Sequence, residues 1–168
     1  MRFPVTLILF DIDGFKTYND QFGHGVGDEI LRQTASLIKR CVRDHDLVAR
    51  LGGDEFAVVF WEKEGPRQPR DGTSQPVPAS RIPQTPKQMF QRFQRLLASP
   101  DFSILGATGK GTLTISGAMA VYPYDAQDVA GLIEAADREL MFSAKASGKN
   151  CLKLVGEDPE EPDVTNVE

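Results

Sequence analysis

The first apolar run, VTLILF from Val5 to Phe10, is short and rich in β-branched and large aliphatic residues, and it ends abruptly in Asp11-Ile12-Asp13-Gly14. That pattern predicts a buried strand stopping at a polar edge. Phe15 to Phe22 suits a short helix, which Gly23-His24-Gly25 interrupts. A longer helical pattern follows, with Val26, Ile30, Thr34, Ile38, Cys41 and Val42 on one face and Asp28 in its first turn. Leu47 to Leu51 and Phe56 to Trp61 read as two strands around Gly52-Gly53-Asp54-Glu55. The Gly-Gly pair offers the positive φ angles of a tight hairpin, so Asp54 and Glu55 are expected at its tip.

From residue 64 to residue 87 the periodicity dissolves into a stretch holding six of the eleven prolines, which predicts a long surface insertion. Residues 88–97 then suit a helix with Met89, Phe93, Leu96 and Leu97 facing inward. LTISGAMAVY, residues 113–122, reads as a strand. A helix is expected over residues 128–146, with Val129, Leu132, Ile133, Ala136, Leu140 and Ala144 on its apolar face and Ser147-Gly148 as its stop. Residues 151–155 close the pattern as a strand. The order β, α, α, β, β, α, β, α, β suits a mixed sheet with helices packed on it.

Composition narrows the picture. With 168 residues, 40% hydrophobic and 26% charged, the chain is expected to form one soluble domain over residues 1–156, carrying the Pro-rich insertion. No apolar run approaches the roughly 18 residues of a membrane span, and the start does not resemble a signal peptide. Membrane, secreted and fibrous classes are thereby disfavoured. The net charge of -5 argues against a basic nucleic-acid binder. Residues 157–168 contain six acids and no base and are expected to be a solvated, disordered tail. Removing those six leaves 18 acidic against 19 basic residues, so the domain itself is nearly neutral and compatible with a polyphosphate ligand. Cys41 and Cys151 show no zinc or disulfide spacing, which suits a reducing cytoplasm, and His24 and His45 are too isolated for a histidine metal site.

Three carboxylates, Asp11, Asp54 and Glu55, come from a strand end and a hairpin tip, places that converge at one edge of a sheet. Hard divalent cations favour such oxygen ligands, and Mg²⁺ pairs one or two carboxylates with waters and substrate phosphates, so a Mg-nucleotide site is one reading and an exposed acidic turn the other. Gly14-Phe15-Lys16 follows the first strand directly; its backbone N–H groups and the Lys16 ammonium suit phosphate oxygens or form an ordinary turn. Lys145 and Lys149 flank the last helix end, where they either reach phosphate or complement the helix dipole.

Taken together, these strings resemble the GGDEF family of diguanylate cyclases. Leu51-Gly52-Gly53-Asp54-Glu55-Phe56 is similar to the family signature. Phe10-Asp11-Ile12-Asp13-Gly14-Phe15-Lys16 with Asn19-Asp20 is similar to its first-strand motif. Phe22-Gly23-His24 with Gly27-Asp28 resembles the second motif, and Ala136-Asp137 with Ala144-Lys145, Gly148 and Asn150 resembles the closing helix. The resemblance runs from Val5 to Leu154 apart from the insertion.

It implies a palm-like, ferredoxin-like α/β (α+β) fold with a mainly antiparallel mixed sheet. It implies condensation of two GTP into cyclic di-GMP and two pyrophosphates by a homodimer using Mg²⁺ or Mn²⁺, at least two ions per dimer. Asp11, the Ile12 carbonyl and Asp54 match the metal-binding positions, and Asp54 or Glu55 is the candidate base for the attacking 3′-hydroxyl. Asn19 and Asp28 match guanine-contacting positions; a carboxylate accepts from guanine N1–H and the 2-amino group, which adenine lacks. Phe15, Lys16, Lys145 and Lys149 match positions on the substrate, the lysines those on its phosphates. Arg43 and Asp46 of Arg43-Asp44-His45-Asp46 match an RxxD product-inhibition site; on its own, RxxD is a solvated helix end. The family's usual leading helix is not seen before Val5, so an upstream sensor or dimerising segment is expected to be missing from this chain. A binding module that holds GTP or cyclic di-GMP without turnover is the alternative expectation.

Overall fold

The computed structural model describes residues 4–61, 84–97, 113–144 and 150–156. Five strands, β1 (Val5–Ile12), β2 (Leu47–Gly52), β3 (Glu55–Trp61), β4 (Ile115–Tyr122) and β5 (Leu152–Leu154), form one sheet in the order β2-β3-β1-β4-β5. β1 runs antiparallel to β3 and β4, whereas β5 is parallel to β4, so the sheet is mixed and mainly antiparallel as expected.

β1 lies at the centre and is buried on both faces. Its even positions, Ile8, Phe10 and Ile12, join the larger core with helices α1 (Phe15–Phe22), α2 (His24–Cys41) and α3 (Gln84–Leu97). Its odd positions, Leu7 and Leu9, join a smaller core with α4 (Val129–Glu139) and the π-helical turn Leu140–Ala144. Alternation of side chains across a strand produces this division, and the absence of a polar face explains the unbroken apolar run. In the larger core Phe10 stacks on Phe56 with ring centroids 5.7 Å apart and meets Phe93 edge-on at 5.5 Å.

Several expectations shift. α3 starts at Gln84 rather than residue 88, because Pro86 sits in the first turn, where a missing N–H breaks no helical bond. Phe90, not Leu96, completes its buried face; a Cβ on Gly117 would meet the Phe90 ring at 2.7 Å, so glycine makes room for it. α2 starts at His24, so Asp28 is its fifth residue, beyond the first turn. Only Gly53 of the Gly-Gly pair has a positive φ, 50°, at the first central position of a two-residue hairpin loop, the II′ pattern. The last helix changes to π geometry at Leu140, and Val129 and Ile133 are exposed rather than buried. The expected insertion up to residue 83 and the acidic tail lie outside the described residues.

Candidate active site

The end of β1 and the β2–β3 hairpin meet at one edge of the sheet. Register explains the meeting: β1 and β3 pair from Val5↔Trp61 through to Asp11↔Glu55, which brings the hairpin tip level with the strand end. Asp11, Ile12, Asp13, Gly14, Phe15, Lys16 and Asp54 line a cleft of about 340 Å³ there, within the range of small-ligand sites. Five residues named from the sequence, Asp11, Ile12, Phe15, Lys16 and Asp54, are therefore brought together. Phe15 is buried, Asp54 half-buried and Lys16 exposed. Gly14 at φ 73° turns the chain from β1 directly into α1, which places Lys16 beside the strand end.

Only Asp54 of the two expected acids is in the hairpin loop; Glu55 is the first residue of β3, paired with Gly52. Glu55 is exposed and stands directly across the ladder from Asp11, on the same face of the sheet. Opposed like charges are unfavourable by themselves, and a cation bound nearby reverses the sign. Among the described residues no three His, Cys, Asp or Glu side chains gather into a cage for a metal ion. Three aspartates line the cleft, and Asp13 is held by hydrogen bonds from Thr114, Ser116 and Asn150. The other two, Asp11 and Asp54, fit a hard divalent ion whose remaining positions go to a carbonyl, waters and phosphates.

Asn19 on α1 and Asp28 on α2, also named from the sequence, are not among the residues that line this cleft. The Asn19 Oδ1 is buried and has no hydrogen-bond partner among the described residues. Gly27 permits its approach, since a Cβ at that position would lie 1.8 Å from Asn19 Oδ1. Asp28, the next residue, is exposed. A buried acceptor beside an exposed carboxylate suits a ligand that donates hydrogen bonds.

Arg43 and Asp46 form the turn between α2 and β2. The Arg43 N–H donates to Asp46 Oδ2 at 2.8 Å and the Asp46 N–H to the Arg43 carbonyl at 3.0 Å, with the Asp46 side chain only 2% exposed. Lys145 and Lys149 lie outside the described residues. Two residues at the site escape a reading of the sequence. Asp13 carries hydrogen bonds from distant segments, and Arg50 grips the hairpin through Nε and Nη2, which donate to the Gly53 carbonyl at 2.9 and 2.7 Å. A basic residue three positions before Gly53 was the only hint of the latter.

A family model described as "Diguanylate cyclase, GGDEF domain" matches residues 1–68. Among solved structures, an EAL/GGDEF domain protein from M. capsulatus is 30% identical with a TM-score of 0.68, the match covering 92% of this chain and 86% of that one. The chain belongs to the GGDEF family. The GGDEF domain of a Pseudomonas aeruginosa protein is 27% identical with a TM-score of 0.71, covering 94% of this chain and 85% of that one. Diguanylate cyclase A of Treponema denticola is 29% identical over 150 residues, 89% of this chain. The chain spans 35% of that relative's length and 21% and 36% of the next two. The five-stranded sheet and its flanking helices are thus the palm-like GGDEF fold, and among the described residues no helix is long and apolar enough to cross a membrane.

Proposed function

We propose that this GGDEF domain condenses two GTP molecules into cyclic di-GMP. The observation that carries the reading is the cleft lined by Asp11, Ile12, Lys16 and Asp54 at the start of α1, the helix that also carries Asn19 and packs against α2 with Asp28. In each of two equivalent steps the 3′-oxygen of one GTP bonds to the α-phosphorus of the other, the bond to pyrophosphate breaks, and the 3′-hydroxyl proton passes to Asp54 or Glu55. Asp11, the Ile12 carbonyl and Asp54 would hold Mg²⁺ or Mn²⁺, which supplies positive charge against the triphosphate.

The chain's own groups do the rest. Lys16 and the Phe15 and Lys16 N–H groups meet phosphate oxygens, a role we also assign to Lys145 and Lys149. Asn19 and Asp28 hold the guanine edge, and Asp28 selects GTP over ATP because adenine has no matching pair of donors. One cleft accepts one GTP, so two protomers facing each other across their hairpins assemble a two-fold product. Product inhibition falls to the Arg43–Asp46 turn, where Asp46 holds the backbone and Arg43 meets the dinucleotide. The companion domains of the longer relatives belong to this proposal as the source of the activating signal.

The test is incubation of the purified chain with GTP and Mg²⁺ while pyrophosphate and cyclic dinucleotide are followed. Turnover lost in Asp54→Ala and Glu55→Ala, and inhibition by product relieved in Arg43→Ala, are the expected results. GTP or cyclic di-GMP binding without turnover at any protein concentration would establish a binding module instead.

A further inference from the structure

Asp13 lines the cleft beside Asp11, yet its carboxylate is engaged by three donors from elsewhere in the chain. Oδ1 accepts from Ser116 Oγ at 2.8 Å, and Oδ2 accepts from Thr114 Oγ at 2.7 Å and from the Asn150 N–H at 3.0 Å. The Asp13 N–H in turn donates to the Thr114 carbonyl at 2.9 Å. Asn150 sits at φ 65°, shares its N–H with Ser116 Oγ at 3.2 Å, and accepts from Gln94 Nε2 on both its carbonyl and its side-chain oxygen at 3.0 Å. One carboxylate therefore joins the end of β1 to β4, to the residue leading into β5 and, through Asn150, to α3. Hydrogen bonds to an ionised acceptor are short and strong, which suits a fixed joint.

The placement of this joint matters. Asp11 and Ile12 immediately precede Asp13, and Gly14 follows it, turning the chain toward Lys16. Ser116, which holds Asp13, is also the ladder partner of Asp11 on the β4 side. We infer that Asp13 is a positioning residue: by taking hydrogen bonds from Thr114, Ser116 and Asn150 it fixes the strand end from which Asp11 and Ile12 reach a divalent cation, and it is not itself a metal ligand. This rests on the cation-binding reading of the cleft given above. Side chains that orient first ligands typically shift metal affinity or activity by about 10- to 100-fold when removed.

The test compares wild type with Asp13→Asn, Ser116→Ala, Thr114→Ala and the hydroxyl-preserving Thr114→Ser. Uptake of Mn²⁺ with a non-hydrolysable GTP analogue is read by water-proton relaxation, alongside turnover, melting temperature and hydrogen exchange over residues 11–18. Expected are a rise in the Mn²⁺ half-saturation of about 10-fold for Asp13→Asn and smaller rises for the two alanine variants. Thr114→Ser should stay at the wild-type value, the Asp13→Asn/Ser116→Ala pair should be no worse than Asp13→Asn alone, and exchange should be faster over residues 11–18 wherever uptake weakens. Complete loss of uptake in Asp13→Asn with no effect of either alanine variant makes Asp13 a ligand and overturns the inference. Lower melting temperatures with unchanged half-saturation make its role structural only, which also overturns it. A wild-type chain that takes up no Mn²⁺ defeats the cleft reading itself, and that failure shows before any substitution is made.

Discussion

Gly27 carries the tightest steric constraint beside the site. A Cβ there would overlap Asn19 Oδ1 at 1.8 Å, whereas one on Gly25, a single residue from the helix start, would meet nothing within 4 Å. Gly27→Ala is therefore expected to push Asn19 aside and weaken GTP binding by about tenfold, equivalent to about 1.4 kcal/mol, while Gly25→Ala leaves it unchanged; calorimetric titration of both variants checks this. At the two cysteines burial is the leading influence and pushes both thiols above the ordinary value of 9.0, with Arg92 and Arg40 pulling back at Cys41 and Lys153 at Cys151. A raised thiol value means less thiolate at any given pH. Alkylation by iodoacetamide at pH 8 should be slower at both positions than in an unfolded cysteine peptide and should accelerate only at higher pH, as a pH series of the rate would show. Of these residue-scale features the sequence displayed Asn19 and Gly27 as motif members, but not that one exists to let the other approach.

At the scale of elements, periodicity located the five strands and four α-helices of the described residues, and its failures have local causes. Val129 and Ile133 sit on the expected apolar face of the last helix but are 74% and 47% exposed. The small core beneath has Leu7, Leu9, Ala57, Ala118 and Ala120 at its buried centre, with Val59, Tyr122, Ala126, Cys151 and Val155 partly buried around them. Leu132, Ala136 and Leu140 are the buried residues that cover it. Spacing identifies which residues are apolar, whereas the width of the opposing surface decides how many of them it can bury. The start of that helix depends on Asp128, whose side chain accepts from the Gly131 N–H at 2.8 Å. Asp128→Ala should cost about 1 kcal/mol in a denaturant melt. Gly117→Ala, which would drive a methyl into the Phe90 ring, should cost about 1–3 kcal/mol in the same measurement, the usual range for overpacking.

For the whole molecule, the proposed reaction builds its product from two nucleotides, one held by each protomer, which would make turnover a property of the pair. Activity per protomer is expected to rise with protein concentration until sedimentation shows the dimer fully formed, and to be flat if one chain suffices. The central strand, the glycine hairpin with its two acids, and the order of elements were all legible in the sequence, because side-chain period and turn chemistry are written within a few neighbouring residues. So was the family, through strings short enough to read directly. The division of labour between Asp11 and Asp13 was not. Both are aspartates at one strand end, and only the tertiary structure decided that Asp13 would be held by partners 101 and 137 positions away while Asp11 stands opposite Glu55 at the cleft. Ladder register and the donors that converge on a carboxylate are set by segments far apart in the chain, and they exist only once the sheet has closed around β1.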